Sequence, residues 1–166
     1  FSWINGSENL TYISLVLAAS TMGFLILNWP PAKIFMGDGG SGVLGLMLGA
    51  LSLDSTHIDA VMLSVWLIFL CVFIVDATFT LIRRLLRGVN VYEAHRSHAY
   101  QYASRQYGSH LSVTLSVLFM NLFWLTHWSV AVALGAVGGA LGLIIAYVPL
   151  LWLAWYFHAG ELEQIA

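Results

Sequence analysis

The chain has 166 residues, 60% of them hydrophobic and 8% charged, with a formal net charge of -2 and a mean hydropathy of +0.83. Soluble domains carry about 25% charged residues and 45–50% apolar ones, so this composition excludes a soluble globule, a disordered tail and a disulfide scaffold. An integral membrane protein is the class that remains, and the small negative net charge points to no nucleic-acid partner.

A membrane-crossing helix needs about 20 mostly apolar residues. Leu10 to Asn28 meets that length, and Pro30-Pro31 ends it, because proline lacks the amide donor and clashes with the preceding turn. The next apolar run, Gly42 to Leu53, is short. It must draw in Gly40 and Ser41 at one end and residues beyond Leu53 at the other, or be a broken helix. Ile58 to Ile82 is a third span and carries Asp59 and Asp76. A polar segment from Arg83 to His110 follows. Leu111 to Phe157 then contains no Asp, Glu, Lys or Arg, enough for two helices with a turn expected near Thr126, His127 and Trp128, where polar and aromatic residues suit an interface. The expected fold is all-α: one polytopic membrane domain over 1–166, with about five transmembrane helices. Glycine pairs at four-residue spacing, Gly45/Gly49, Gly135/Gly139 and Gly138/Gly142, read as close helix packing.

All six basic side chains fall in two loops, Lys33 in one and Arg83, Arg84, Arg87, Arg96 and Arg105 in the other. The positive-inside rule makes those loops cytoplasmic. Cys71 has no second cysteine to pair with. No signal peptide opens the chain, and a first residue of Phe1 in place of Met leads to the expectation that the natural chain begins further upstream.

Residues 30–42 read PPAKIFMGDGGSG. The glycines around Asp38 allow positive φ and close backbone approach, and consecutive amides in such a turn can form an anion nest. A helix starting near Ser41 would add its positive end. Magnesium usually binds through one or two carboxylates plus substrate phosphates, so Asp38 with Lys33, Gly39, Gly40 and Ser41 fits a magnesium–diphosphate site. The competing reading is a plain loop in which Asp38 caps a helix and the glycines make turns.

The second polar segment holds Asp76, Arg83, Arg84, Arg87 and AHRSHAYQ at 94–101. If the third helix continues past Ile82, Asp76, Arg83 and Arg87 share a face. Asp76 is a candidate functional residue because a carboxylate in a membrane helix is costly; the alternative is a helix-end salt bridge to Arg83. The three arginines suit topology and anionic lipid. His95, Arg96 and His98 form a donor-rich cluster: Arg binds phosphate bidentately, and His donates to phosphate or exchanges protons near neutral pH. A loop with incidental histidines is the alternative, and a two-His zinc site lacks further good ligands. His57, His110, His127 and His158 read as interfacial.

The run PPAKIFMGDGGSG, followed by an Asp-bearing helix end, RRLLRG and AHRSHAYQ, resembles the polyprenyl-phosphate N-acetylhexosamine-1-phosphate transferases. AHRSHAYQ is most similar to the bacterial branch that initiates O-antigen or related glycans. The resemblance implies transfer of N-acetylhexosamine-1-phosphate from a UDP-sugar to undecaprenyl phosphate, with release of UMP and with Mg2+ as cofactor. It implies that Asp38 is the metal-binding aspartate and, with His98, catalytic, and that Lys33, Gly39, Gly40, Ser41, His95 and Arg96 bind substrate. Its partners would be the nucleotide sugar, the lipid phosphate and the bilayer, with a homodimer compatible.

The chain departs from the pattern in several places. His95 stands where many relatives have Asp, and Ala99, Tyr100 and Gln101 stand where relatives often have histidines. The acidic pair that precedes the FMGD segment in relatives has no counterpart before residue 30. The resemblance is therefore to the C-terminal half of a ten- to eleven-helix enzyme, and the 166-residue chain alone is expected to be inactive. A non-catalytic membrane scaffold and a transporter segment are the alternatives; polar residues gathered at one face, not at the midplane, speak against a transporter.

Overall fold

The computed structural model describes residues 8–88 and 97–161, and all regular structure among them is helical. The chain forms two compact units, Phe1–Trp66 and Leu67–Ala166.

In the first unit, α1 (Glu8–Asn28) runs up to the proline pair. The connection to the next helix is tied back onto the end of α1: Lys33 N–H donates to Leu27 O at 2.9 Å, and Asn28 Nδ2 donates to Ile34 O at 2.8 Å. Helix α2 (Gly37–Asp54) is 18 residues long. It takes in Gly40 and Ser41 at one end and Asp54 at the other, as the short apolar run required. A 3₁₀ turn, Ser55–His57, follows. Asp59 Oδ1 then accepts from Val61 N–H at 2.9 Å, at the start of α3 (Val61–Phe69). Asp59 therefore precedes that helix and does not lie within it.

The second unit is built on α4 (Cys71–Leu86), α5 (Ala99–Tyr107), α6 (His110–Phe119), α7 (Thr126–Ala133) and α8 (Gly139–Tyr156). Helices α4 and α7 both pack on α8, and α5 touches α4, α6 and α8. Ile68, Cys71, Leu125, Val132 and Ala146 are fully enclosed at the centre. Helices α3 and α4 are bent by 71° across Leu70, so the third expected span is a broken one. The expected turn at Thr126–Trp128 does not form. The helix runs on from His110 to Ala133 through a π-helical stretch, Met120–Leu125. The Asn121 carbonyl accepts the Thr126 N–H five residues on, the π-type bond, and Thr126 Oγ1 adds a second bond to it at 2.8 Å. The reversal instead falls between Ala133 and Gly139, where Gly135 adopts φ +71°, a conformation glycine supplies without strain.

Three helical stretches, Glu8–Asn28, His110–Ala133 and Gly139–Tyr156, are long and apolar enough to cross a membrane, and the bent pair α3–α4 makes a fourth if it is one span. Helix α2 is the remaining expected segment; its opening GDGGSG contains no apolar side chain and dilutes its hydropathy. Within these spans only 6%, 17% and 22% of the most apolar stretch is buried. Such faces are stable against hydrocarbon and not against water, and the protein is an all-α polytopic membrane protein.

Of the paired glycines, Gly142 is the one in close helix packing, while Gly138 caps α8 with nothing within 4 Å of a Cβ. A Cβ at Gly142 would collide with Val132 Cγ2 on α7, whereas nothing lies within 4 Å of one at Gly45. Gly142→Leu is expected to destabilise the chain by about 1–3 kcal/mol through overpacking, seen as a lower unfolding midpoint in detergent. An effect no larger than that of Gly45→Leu would contradict this packing role.

Candidate functional site

In the first unit, Lys33 lies in the α1–α2 connection and Asp38, Gly39, Gly40 and Ser41 form the first turn of α2. All five are exposed. Gly37 opens the helix at φ +68°, and Met36 supplies no side-chain cap. Ser41 Oγ donates to the Asp38 carbonyl at 3.1 Å, which leaves the Asp38 carboxylate outside that bond. A Cβ at Gly40 would sit 2.6 Å from Met36 Cγ, so a larger residue there would make the Met36 side chain move. The helix thus starts with exposed amides, a positive dipole end and one hard carboxylate, an arrangement that receives a phosphate group.

In the second unit, His98 is the N-cap of α5, with extended backbone at φ -74°, ψ 149°. Its amide donates to Gln101 Oε1 at 3.2 Å, the reciprocal half of a capping box with Gln at the third helical position. The expected Asp76–Arg83 salt bridge is not made. Asp76 Oδ1 accepts from Ala99 N–H at 2.8 Å, and Oδ2 lies 3.1 Å from His98 Nδ1. The carboxylate therefore sits at the N-terminus of α5, where both the amide and the helix dipole favour negative charge. His95 and Arg96 lie outside the described residues.

Arg83 turns to the C-terminal end of the chain. It forms an ion pair with Glu161 and donates to Ala159 O at 3.1 Å, while Arg87 donates to Gly160 O at 3.2 Å and reaches Glu161 at 3.6 Å. His158 Nδ1 lies 3.1 Å from Glu161 Oε2, and Tyr102 OH donates to the Glu161 carbonyl at 2.9 Å. Gly160 N–H closes the strap on the segment before His98, donating to Ser97 O at 2.7 Å. Arg84 is buried, 4% exposed, and so is a packed residue rather than a lipid contact. Nothing in the sequence pattern pointed to Glu161; its pairing joins positions 78 apart.

Burial alone would raise the Glu161 carboxyl, but the hydrogen bond from His158 and the charges of Arg83, His158 and Arg87 outweigh it and hold it below its ordinary value of 4.5. A depressed carboxylate contributes stability that is present above its unfolded value and lost as pH falls through the folded one. Thermal unfolding in detergent should therefore show a midpoint that drops as pH is lowered below about 4.5. Glu161→Gln should flatten that drop, and equal pH slopes for the two proteins would contradict it.

A cleft of about 820 Å³ opens beside the Asp76–His98 pair. Its walls are largely apolar, with Phe69, Phe73, Tyr107 and Phe157 among them, and Asp76 and His98 supply polar groups. Among the described residues no three His, Cys, Asp or Glu side chains cluster into a self-sufficient metal site. Magnesium would need Asp38 together with ligands from a substrate, and one exposed carboxylate at an open helix end fits that donor set.

Residues 1–56 match the model of the family described as glycosyl transferase family 4. The chain is 36% identical over 150 residues to the "Probable undecaprenyl-phosphate N-acetylglucosaminyl 1-phosphate transferase" of Bacillus subtilis, covering 89% of this chain and 41% of that protein. It is 34% identical over 118 residues to the decaprenyl-phosphate N-acetylglucosaminephosphotransferase of Mycobacterium leprae, 63% of this chain and 30% of that one. It is 46% identical over 56 residues to the phospho-N-acetylmuramoyl-pentapeptide-transferase of Prochlorococcus marinus, 32% of this chain and 15% of that one. The chain thus spans less than half the length of these relatives. No solved structure matches it. The first-unit motif lies within the family match, the longer similarity takes in most of the chain, and on both grounds the chain belongs to glycosyl transferase family 4.

Proposed function

We propose that the chain forms part of a membrane enzyme that transfers N-acetylhexosamine-1-phosphate from a UDP-N-acetylhexosamine to polyprenyl phosphate, releasing UMP and starting a cell-wall or O-antigen type glycan. The observation that carries this reading is the exposed first turn of α2. It presents Asp38, Gly39, Gly40 and Ser41 at a helix N-terminus, within the residues that match the transferase family. The relatives named for undecaprenyl-phosphate and decaprenyl-phosphate N-acetylglucosamine phosphate transfer support the substrate class.

In this reading the α2 amides and Lys33 bind the diphosphate of the nucleotide sugar and orient it. A phosphate oxygen of the lipid attacks the phosphorus that bears the sugar, the bond from that phosphorus to UMP breaks, and a lipid diphosphate sugar forms. Asp38 would hold magnesium, whose charge offsets that developing on the leaving phosphate. His98, with His95 and Arg96, would orient phosphate oxygens from the second polar segment. The site would face the cytoplasm, where UDP-sugars are available.

The test is turnover. Membranes carrying the complete gene product are supplied with undecaprenyl phosphate, magnesium and each UDP-N-acetylhexosamine in turn. UMP and a lipid-linked sugar phosphate should form together in equal amounts. Absence of both with every UDP-N-acetylhexosamine would overturn the reading.

A further inference from the structure

We propose that Tyr147 is the pin that keeps the third span broken: its hydroxyl takes the carbonyl that a continuous helix would use to join α3 to α4.

A sharp helix kink has a short list of causes. They are proline, glycine and serine pairs, a π-turn, or a side chain or water that enters the ladder of backbone bonds. Residues 66–74 read WLIFLCVFI, with no proline, glycine or serine. Leu70 is a single turn residue between two α-helices and not a π-stretch. It caps α4 at φ -85°, ψ 0°, without a side-chain bond. Yet the pair bends by 71° there. Ile68 and Cys71, which flank the break, are fully enclosed and leave little room for water. A side chain in the ladder is the cause that remains.

Tyr147, on α8, supplies it. Its hydroxyl donates to Leu67 O at 3.1 Å, across 80 positions of sequence. In a continuous helix that carbonyl would accept from Cys71 N–H, four residues on. The turn at Leu70 marks that bond as missing, and the ladder resumes with Ile74 N–H donating to Leu70 O at 2.9 Å. The Tyr147 hydroxyl therefore falls on the carbonyl that the break deprives of its helical partner. Inside an apolar span an unmatched carbonyl is costly, so a donor at this point stabilises the broken form against the straight one.

Helix α8 is placed to do this. A Cβ at Gly142, five residues before Tyr147, would lie 3.5 Å from Ile68 Cδ1. The absent side chain lets α8 come close to Ile68, and Ala146 beside Tyr147 is fully enclosed. The cleft depends on the result. Phe69, Leu70, Val72 and Phe73, on both sides of the break, form part of its wall.

Tyr147→Phe keeps the ring and removes the bond. The donor left for Leu67 O is Cys71 N–H, and taking it straightens the pair. The complete gene product is placed in lipid bilayers with its native cysteines replaced by alanine. Spin labels on Ala60→Cys and Leu86→Cys then report the bend by electron–electron distance. At 1.5 Å per residue the two arms are about 15 and 24 Å, so opening the 71° bend should lengthen the separation by roughly 7 Å. Tyr147→p-aminophenylalanine restores a donor at the same place and should return the wild-type distance. An unchanged distance in Tyr147→Phe, or no return with p-aminophenylalanine, would overturn the proposal. No substrate takes part, so the outcome is independent of the transferase reading.

Discussion

Asp38→Ala is expected to lower UMP release by the complete gene product by about 10²–10³-fold, the loss typical of removing one preorganised electrostatic group from a charged transition state. The fold gives a clear reason to expect loss of chemistry and not of structure. Asp38 is exposed, and Ser41 Oγ bonds to its carbonyl and not to its carboxylate. Helix content and unfolding midpoint should therefore match wild type. Asp38→Asn keeps the size and an oxygen but not the charge. It should fall nearly as far, because a neutral amide is a poor magnesium ligand beside a diphosphate. Lys33→Ala should cost less, about tenfold, since a flexible lysine acts as a point charge and the α2 amides remain. Activity of Asp38→Ala within a few-fold of wild type would remove Asp38 from the site, and the first turn of α2 would then be an ordinary helix start.

The contrast between the two candidate regions shows what local sequence carries. PPAKIFMGDGGSG is legible because everything it does is local: a proline stop, glycines where the backbone must turn or approach closely, and a helix N-terminus within a few residues. The broken third span was not legible. Its break at Leu70 lies inside the apolar run FLCVF, with no proline or glycine to mark it. The reversal after α7 did carry a signal, Gly135 with Gly138 and Gly139, but four-residue glycine spacing also describes helix packing, and Gly142 shows that both uses occur within eight residues. Pro149 sits inside α8 without ending it, so proline alone does not separate a stop from an interior position. Asp76 was recognisable as an anomaly, but its partner was not. Choosing Arg83 followed from helical spacing, whereas His98 reaches Asp76 only after the chain has turned back. Arg83 is instead taken by Glu161, a pairing no local pattern can encode.

That long-range pairing makes Gly160 the position where one substitution should do most damage to the second unit. Gly160 has φ +78°, a conformation that costs a β-branched residue about 1–3 kcal/mol. A Cβ there would also lie 2.9 Å from Arg83 Cβ and 3.0 Å from the Thr80 carbonyl oxygen. Neither is the loose end of a flexible side chain, so the strap must move and overpacking adds a cost of similar size. Gly160→Val is therefore expected to lower the unfolding midpoint in detergent by more than any other single change considered. Gly88→Val separates the two causes. Gly88 has a similar φ of +68°, but among the described residues a Cβ there would meet nothing within 4 Å, so it should show the backbone strain. The consequence for the site follows from one bond. Gly160 N–H holds Ser97 O at 2.7 Å, next to His98, and a displaced strap releases that carbonyl together with the Arg83, Arg87 and Glu161 contacts. If the midpoint of Gly160→Val fell no further than that of Gly88→Val, the close packing of the strap on α4 would be refuted.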